Sequence, residues 1–267
     1  MKKTPSRLRT SILSCIGCFL MLQGLAQDLS LFSKEQFIQN NDSLLYRMML
    51  PKDFDASKTY PLVLFLHGAG ERGNDNESQL THGAALFASE DTREQFPAIV
   101  VFPQCPKGDY WANAEVDRST KPITLLFPKD LKPTKSMVLA MNLLDQMLEN
   151  EYVDKNQIYV GGLSMGAMGT FEMLSHKPET FAAAFAICGA GNAEATASYA
   201  KNTALWVFHG AHDDVVNPLA SVEMVAGLLK NGGKPNFSLY AEDNHNSWDS
   251  AFAEPDLLPW LFSNSKD

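Results

Sequence analysis

The pentapeptide Gly162-Leu163-Ser164-Met165-Gly166 is the stretch of this sequence best suited to chemistry. It follows the apolar run Ile158-Tyr159-Val160 and leads into Ala167-Met168-Gly169-Thr170-Phe171-Glu172-Met173-Leu174, a helical pattern, so Ser164 falls where a strand turns sharply into a helix. A turn that tight strains the serine backbone and leaves its neighbours no room for side chains, which accounts for Gly162 and Gly166. Ser164 is then expected to stand exposed above a sheet edge, beside the N–H groups of a helix N-terminus that favour developing negative charge.

A serine hydroxyl is a weak nucleophile until a base removes its proton, and the base needs a carboxylate to orient it. Both occur downstream in a workable order. Leu205-Trp206-Val207-Phe208-His209 reads as a strand and is followed by Gly210-Ala211-His212-Asp213-Asp214; Phe237-Ser238-Leu239-Tyr240 reads as the next and is followed by the loop that carries His245. Ser164, Asp213 and His245 thus each lie just past the carboxyl end of a strand, the edge at which open α/β sheets bind ligands. His209, His212, Asp213 and Asp214 could alternatively form a metal site, since imidazole and carboxylate are good ligands. That reading leaves both the Ser164 turn and His245 without a role, so we expect metal-independent chemistry with no cofactor.

These residues require a scaffold of alternating strands and helices. Strands are expected at Ser43–Leu50, Leu62–His67, Ala98–Phe102, Ile158–Leu163, Ala182–Cys188, Leu205–His209 and Phe237–Tyr240, and the clearest helices at Lys135–Leu148, Met165–Ser175 and Leu219–Leu229. Uniformly apolar strands separated by helices imply a doubly wound, mostly parallel sheet covered on both faces, and a hairpin over Gln36–Leu50 implies an antiparallel edge.

The first 26 residues carry the marks of a signal peptide: Lys2, Lys3, Arg7 and Arg9, an apolar stretch from Ile12 to Leu25, and Gly24-Leu25-Ala26 as a cleavage site. Cys15 or Cys18 would be the lipidation site under lipoprotein processing, although neither follows a convincing apolar run. Residues 27–267 then form one catalytic domain in the periplasm or outside the cell, with no membrane span retained. The whole chain has 22 basic and 31 acidic side chains, a formal charge of -9; without the leader it has 18 against 31, or -13. So negative a body repels phosphate backbones and anionic headgroups, which excludes nucleic acid as a partner and favours neutral substrates. Oligomeric state is not encoded in any recognisable pattern.

The segments Pro61–Gly73 (containing His67-Gly68-Ala69-Gly70), Gly162–Gly166, His209–Asp213 and His245-Asn246-Ser247-Trp248 together resemble the α/β-hydrolase superfamily, specifically small exported bacterial carboxylesterases related to phospholipase/carboxylesterases, dienelactone hydrolases and feruloyl or acetyl-xylan esterases. The likeness runs from about Ser43 to Phe262, with Ala167 where many relatives have a second Gly. It implies that His67–Gly70 is the oxyanion loop, with the Ala69 N–H as first donor (Gly70 as fallback) and the Met165 N–H as second. It also implies Asp213 as the acid, over Asp214 and Asp243, and Glu71, Arg72 and Asn76 as braces of the loop. By the same likeness, the strands ending near Cys105 and Cys188 are separated by two others, or about three spacings of ~4.8 Å, beyond the ~7 Å limit for a disulfide.

Only about fifteen residues separate Cys188 from Ala204, too few for a large cap domain, so an open site is expected. The longer connection from Gln104 to Thr134 carries Tyr110 and Trp111 and is expected to wall it, with Trp248 opposite; Trp111 fits pocket or core equally, and Trp248, the other pocket candidate, fits core or support of His245 better; His82 and His176 read as surface or helix-end residues. The expectation is a serine carboxylesterase acting on short-chain or aryl esters, including ester decorations of plant polysaccharides. Two other readings use the same features: a peptidase of prolyl-oligopeptidase type, disfavoured by the lack of a large accessory domain, and an inactive carbohydrate-binding homologue, disfavoured by three intact triad positions.

Overall fold

The computed structural model describes residues 28–128 and 132–266. The proposed leader, with Cys15 and Cys18, lies outside them. The chain forms strands β1 (Ser33–Gln39), β2 (Asp42–Met49), β3 (Tyr60–Leu66), β4 (Ile99–Gln104), β5 (Glu115–Asp117), β6 (Thr124–Leu126), β7 (Val153–Leu163), β8 (Ala183–Ile187), β9 (Ala204–Gly210) and β10 (Asn236–Tyr240). Its helices are α1 (Ala84–Ala88), α2 (Glu90–Gln95), α3 (Lys135–Leu148), α4 (Met165–His176), α5 (Pro218–Lys230), α6 (Trp248–Phe252) and α7 (Leu257–Ser263).

Eight strands make one sheet in the order β1-β2-β4-β3-β7-β8-β9-β10, while β5 and β6 form a separate hairpin. Only β2 runs against its neighbours in the sheet. The anticipated antiparallel edge is the β1–β2 hairpin, which starts at Ser33 rather than Gln36. Its turn is Asn40-Asn41, both at positive φ, the conformation that tight hairpins demand and asparagine tolerates.

The central strands are continuous apolar runs because both faces are covered. On β3, Leu62, Leu64 and Leu66 pack into one core cluster with α3 and α4, while Val63 and Phe65 enter the opposite cluster with α1 and α7. Alternation along the strand therefore feeds two cores rather than one core and solvent. Helix α4 is buried from Met165 through Leu174, which is why it reads as apolar on every side. This is the α/β-hydrolase fold, and between β8 and β9 it carries no cap, only the short helical turn Ala193–Ser198.

Cys105 and Cys188, just past β4 and β8, are buried and unbridged, with β3 and β7 between their strands. Burial pushes the Cys105 thiol up to about 12 and raises Cys188 as well, so both remain protonated and unreactive.

Candidate active site

Ser164 sits between β7 and α4 with φ 52 and ψ -117, a strained conformation held from several sides. Its N–H donates to the Ile187 carbonyl at 2.8 Å and its carbonyl accepts from Met168. The flanking glycines follow from close approach: a Cβ on Gly166 would lie 1.8 Å from the Leu66 oxygen, and one on Gly162 would lie 2.4 Å from the Gly166 oxygen. The end of β3 is thereby packed directly against the first turn of α4.

The loops after β9 and β10 are joined in a similar way. A Cβ on Gly210 would meet the Asn244 carbonyl at 2.3 Å, so glycine lets the His245 loop lie on the Asp213 loop. The contact is fixed by the Ala211 N–H on Tyr240 O and the His212 N–H on Asp243 O. The Asn244 side chain adds two bonds, accepting from the N–H groups of Asp214 and His245.

These supports bring the three expected residues together. His245 Nε2 lies 3.0 Å from Ser164 Oγ, and His245 Nδ1 lies 2.8 Å from Asp213 Oδ2. The Asp213 side chain is wholly buried, and its Oδ1 accepts from the Val215 and Val216 N–H groups. Burial alone would raise its pKa, but hydrogen bonds from His209, His245 and the Val216 backbone reverse that and hold it well below the usual carboxylate range. The carboxylate is thus available as an anion to fix His245 Nδ1–H and leave Nε2 free to accept the Ser164 proton, as proton transfer from a serine requires.

His209 has a place that its sequence context did not reveal. It is fully buried, with Nε2 3.1 Å from Asp213 Oδ2 and Nδ1 2.7 Å from Ser221 Oγ. The group considered as a metal site does not converge: His209 is buried, whereas His212 and Asp214 are exposed. Among the described residues, the set with ligand atoms within 4.8 Å of one another is Cys188, Asp213 and His245, and the last two already bond to each other.

The His67–Gly70 loop faces Ser164 from the end of β3. His67 Nδ1–H donates to Gly68 O at 2.7 Å while Nε2 accepts the Cys105 N–H at 3.0 Å; burial pushes its pKa down to about 4, so it is a neutral tether. Arg72 braces the loop as expected, with Nε on the Ala69 carbonyl and Nη1 on the Lys107 and Asp109 carbonyls. Asn76 and Gln104 extend the bracing beneath it. Ala69 begins a short helical turn and Met165 begins α4, so neither N–H has an acceptor within its own helix.

A cleft of about 210 Å³ opens over Ser164, walled by Ala69, Tyr110, Arg118, Ile123, Met168, Val215 and Trp248 among others. The long connection does wall it, through Tyr110 and the β5–β6 hairpin, which is tied to the acid loop by the Ile123 N–H on Val215 O. Trp111 requires a correction. It is fully buried, donates Nε1–H to the His67 carbonyl at 3.2 Å, and packs so close to α4 that a Cβ on Gly169 would lie 2.5 Å from its own Cβ. Burial of that large ring outweighs exposure to a cleft, and the tryptophan is a support of the oxyanion loop. Trp248 does line the cleft, edge-on to His245 at 5.5 Å. His82, expected at the surface, packs against Trp248 with the rings tilted by 45° and their centroids 4.9 Å apart, and lies 3.8 Å from Glu71 in the cleft wall.

The Phospholipase/Carboxylesterase profile matches residues 54–254, and the chain belongs to that family of α/β-hydrolase enzymes. A bifunctional acetylxylan esterase/xylanase from Neocallimastix patriciarum is 29% identical over 172 residues, which is 64% of this chain but only 21% of that protein. A thermostable esterase of known structure is 32% identical with a TM-score of 0.79, over 89% of this chain and 64% of the other. A ferulic acid esterase from Anaeromyces mucronatus, solved with ferulic acid, shares the fold at a TM-score of 0.62 and 15% identity, over 87% and 90% of the two chains. The chain spans about a fifth of the curated acetylxylan relative.

Proposed function

We propose that this protein is an exported serine carboxylesterase that removes short acyl or aryl-acid groups from a neutral glycan, without a metal or cofactor. The observation that carries this is the unbroken chain from Ser164 Oγ through His245 to Asp213, at 3.0 Å and 2.8 Å, opening into the cleft. Ser164 attacks the ester carbonyl while His245 takes its proton; the Ala69 and Met165 N–H groups hold the oxyanion; His245 returns the proton to the leaving alcohol, and water reverses the sequence to free the acid. Each oxyanion donor is worth about 2.7–4 kcal/mol of transition-state stabilisation.

The cleft supports the small acyl group. At about 210 Å³ it falls below the ~300–1,000 Å³ usual for ligand pockets, so it has no room to gain ~0.8 kcal/mol from each further buried CH₂ of a long chain. The acetylxylan and ferulic acid esterases among its relatives and the -13 charge expected without the leader support a neutral glycan over a lipid surface. Among the described residues, no helix is long and apolar enough to cross a membrane. The basic and apolar stretch before Gln27 supports export.

The test is a hydrolysis panel of acetyl, butyryl and long-chain aryl esters, acetylated and feruloylated oligosaccharides, and peptides, run on the parent and on Ser164→Ala. We expect preference for the short and aryl acyl groups, little peptide cleavage, and loss of several orders of magnitude in the variant. Efficiency rising steadily with chain length, or comparable peptide turnover, would refute the substrate assignment; a Ser164→Ala protein as active as the parent would refute the mechanism.

A further inference from the structure

A second cavity lies on the far side of Met168 from Ser164. It has a volume of about 140 Å³ and is lined by Phe127, Met168, Phe171, Glu172, Ser175, His176, Gly191, Asn192 and Ala195. Met168 borders both spaces, so the two are neighbours along α4. Glu172 is eight residues beyond Ser164, about 12 Å along the helix at 1.5 Å per residue.

Glu172 is the feature that calls for a ligand. Its side chain is 4% exposed; Oε2 accepts the Asn113 N–H at 2.8 Å, but Oε1 is buried with no hydrogen-bond partner. His176 Nε2 stands 3.9 Å from that oxygen, too far to satisfy it. An orphaned buried acceptor is costly to the folded protein, so a group that supplies a donor there binds with that cost recovered. Around it are the Ser175 hydroxyl, which donates to Glu172 O and retains acceptor capacity, and the Asn192 amide, whose oxygen is taken by the Glu194 N–H and whose NH₂ can donate. Phe127 and Phe171 contribute apolar walls. Acceptors, a donor group and aromatic surface converging in a small partly open cavity match a sugar ring, which presents hydroxyls at its edge and C–H groups on its faces.

We propose that this cavity is a distal subsite that holds a neutral sugar unit of the glycan whose ester group occupies the Ser164 cleft, with Glu172 Oε1 accepting a ring hydroxyl. The assignment rests on the reading of the Ser164 site as a glycan esterase. It explains how an open cleft with a small acyl pocket selects a polymeric substrate: affinity comes from a ring more than one unit removed from the reacting bond, and Met168 separates the two.

The experiment compares kcat/KM for an acetylated xylotetraose with kcat/KM for p-nitrophenyl acetate in the parent, in Glu172→Gln, which keeps the Asn113 contact, and in Ala195→Phe, which fills the cavity and keeps the Glu172 carboxyl. Calorimetric binding of unesterified xylotetraose to a Ser164→Ala protein, with and without each change, supplies a readout independent of turnover. We expect the ratio of the two efficiencies to fall about tenfold in both variants, carried by KM, with binding of the free oligosaccharide weakened by a similar factor. A parent that favours the oligosaccharide ester but whose ratio and binding are unmoved by either variant would overturn the subsite and leave the esterase reading intact. A parent that ignores glycan esters while hydrolysing p-nitrophenyl acetate would overturn the glycan assignment and the subsite together. Binding of diaminobutane in place of xylotetraose would identify the cavity as an amine site and equally overturn the proposal.

Discussion

Replacing Glu172 by Gln should stabilise the protein at alkaline pH and do almost nothing in acid. Burial pushes the Glu172 carboxyl up to about 7, from an ordinary value near 4.5, with the Asn113 N–H opposing only in part. Below 4.5 the group is protonated in both folded and unfolded chains and its burial carries no ionic cost. As pH rises, the unfolded chain loses this proton first, so the folded state holds more protons and stability declines until about pH 7, after which the loss is constant. At roughly 1.4 kcal/mol for each tenfold change in proton affinity the full loss is about 3 kcal/mol, little of it developed at about pH 5 and nearly all of it at about pH 8. Glutamine keeps an oxygen for the Asn113 N–H and has no proton to lose. Urea unfolding of parent and Glu172→Gln should therefore show a stability difference that grows by about 2–3 kcal/mol in favour of the variant between those two conditions. Curves that stay parallel across that range would show that the carboxyl is hydrated or paired and would refute the burial argument.

Three further outcomes follow from the site geometry. Asp213→Asn preserves the bonds from the Val215 and Val216 N–H groups but removes the anion that orients His245; ester hydrolysis should drop by about four orders of magnitude with the fold retained by circular dichroism, and a loss under tenfold would dismiss Asp213 as the acid. Gly210→Ala places a methyl 2.3 Å from the Asn244 carbonyl and must push the His245 loop away; we expect ~1–3 kcal/mol of destabilisation together with a lower kcat, and unchanged thermal unfolding and kinetics would contradict the packing. Cys105 and Cys188 should titrate with a thiol reagent only after unfolding, and reductant should leave activity unaltered; rapid modification of the native protein would contradict their burial.

Much of the fold is legible because the signals are local. Strand β7 ends at Leu163 and α4 begins at Met165 where the elbow pattern places them, and α3 spans the expected Lys135–Leu148. Thr134 caps α3 through its hydroxyl, and Asn217 with Pro218 opens α5, both ordinary start signals. The elements least sharply marked in sequence, in their bounds or altogether, are short or at an edge. Strand β1 is exposed at most of its positions, so it lacks the apolar run that marks a central strand, and α1, α2, α6 and α7 are at most seven residues long, too brief for a helical period to show.

The site divides along the same line, between residues set by one loop and residues set by several. Ser164, Asp213 and His245 each lie just past the end of a strand, so chain order marks their loops, and the family likeness chooses Asp213 over Asp214 and Asp243. Trp111 and His82 are placed by partners distant in sequence: the His67 carbonyl and α4 draw the one inward, while Glu71 and Trp248 hold the other in the cleft wall. A tryptophan in a long loop looks the same in sequence whether it faces substrate or core, because both environments reward its apolar area. His209 shows the opposite side of this limit. Next to His212, Asp213 and Asp214 it reads as a ligand cluster, yet the end of β9 is buried on both faces and takes His209 inside, while His212 is exposed in the following turn. Its imidazole then meets Asp213 from below while His245 meets it from the cleft. Two histidines on one carboxylate, rather than carboxylates and histidines around an ion, is the outcome that strand geometry decides, and with it the acid is held ionised in a place from which water is excluded.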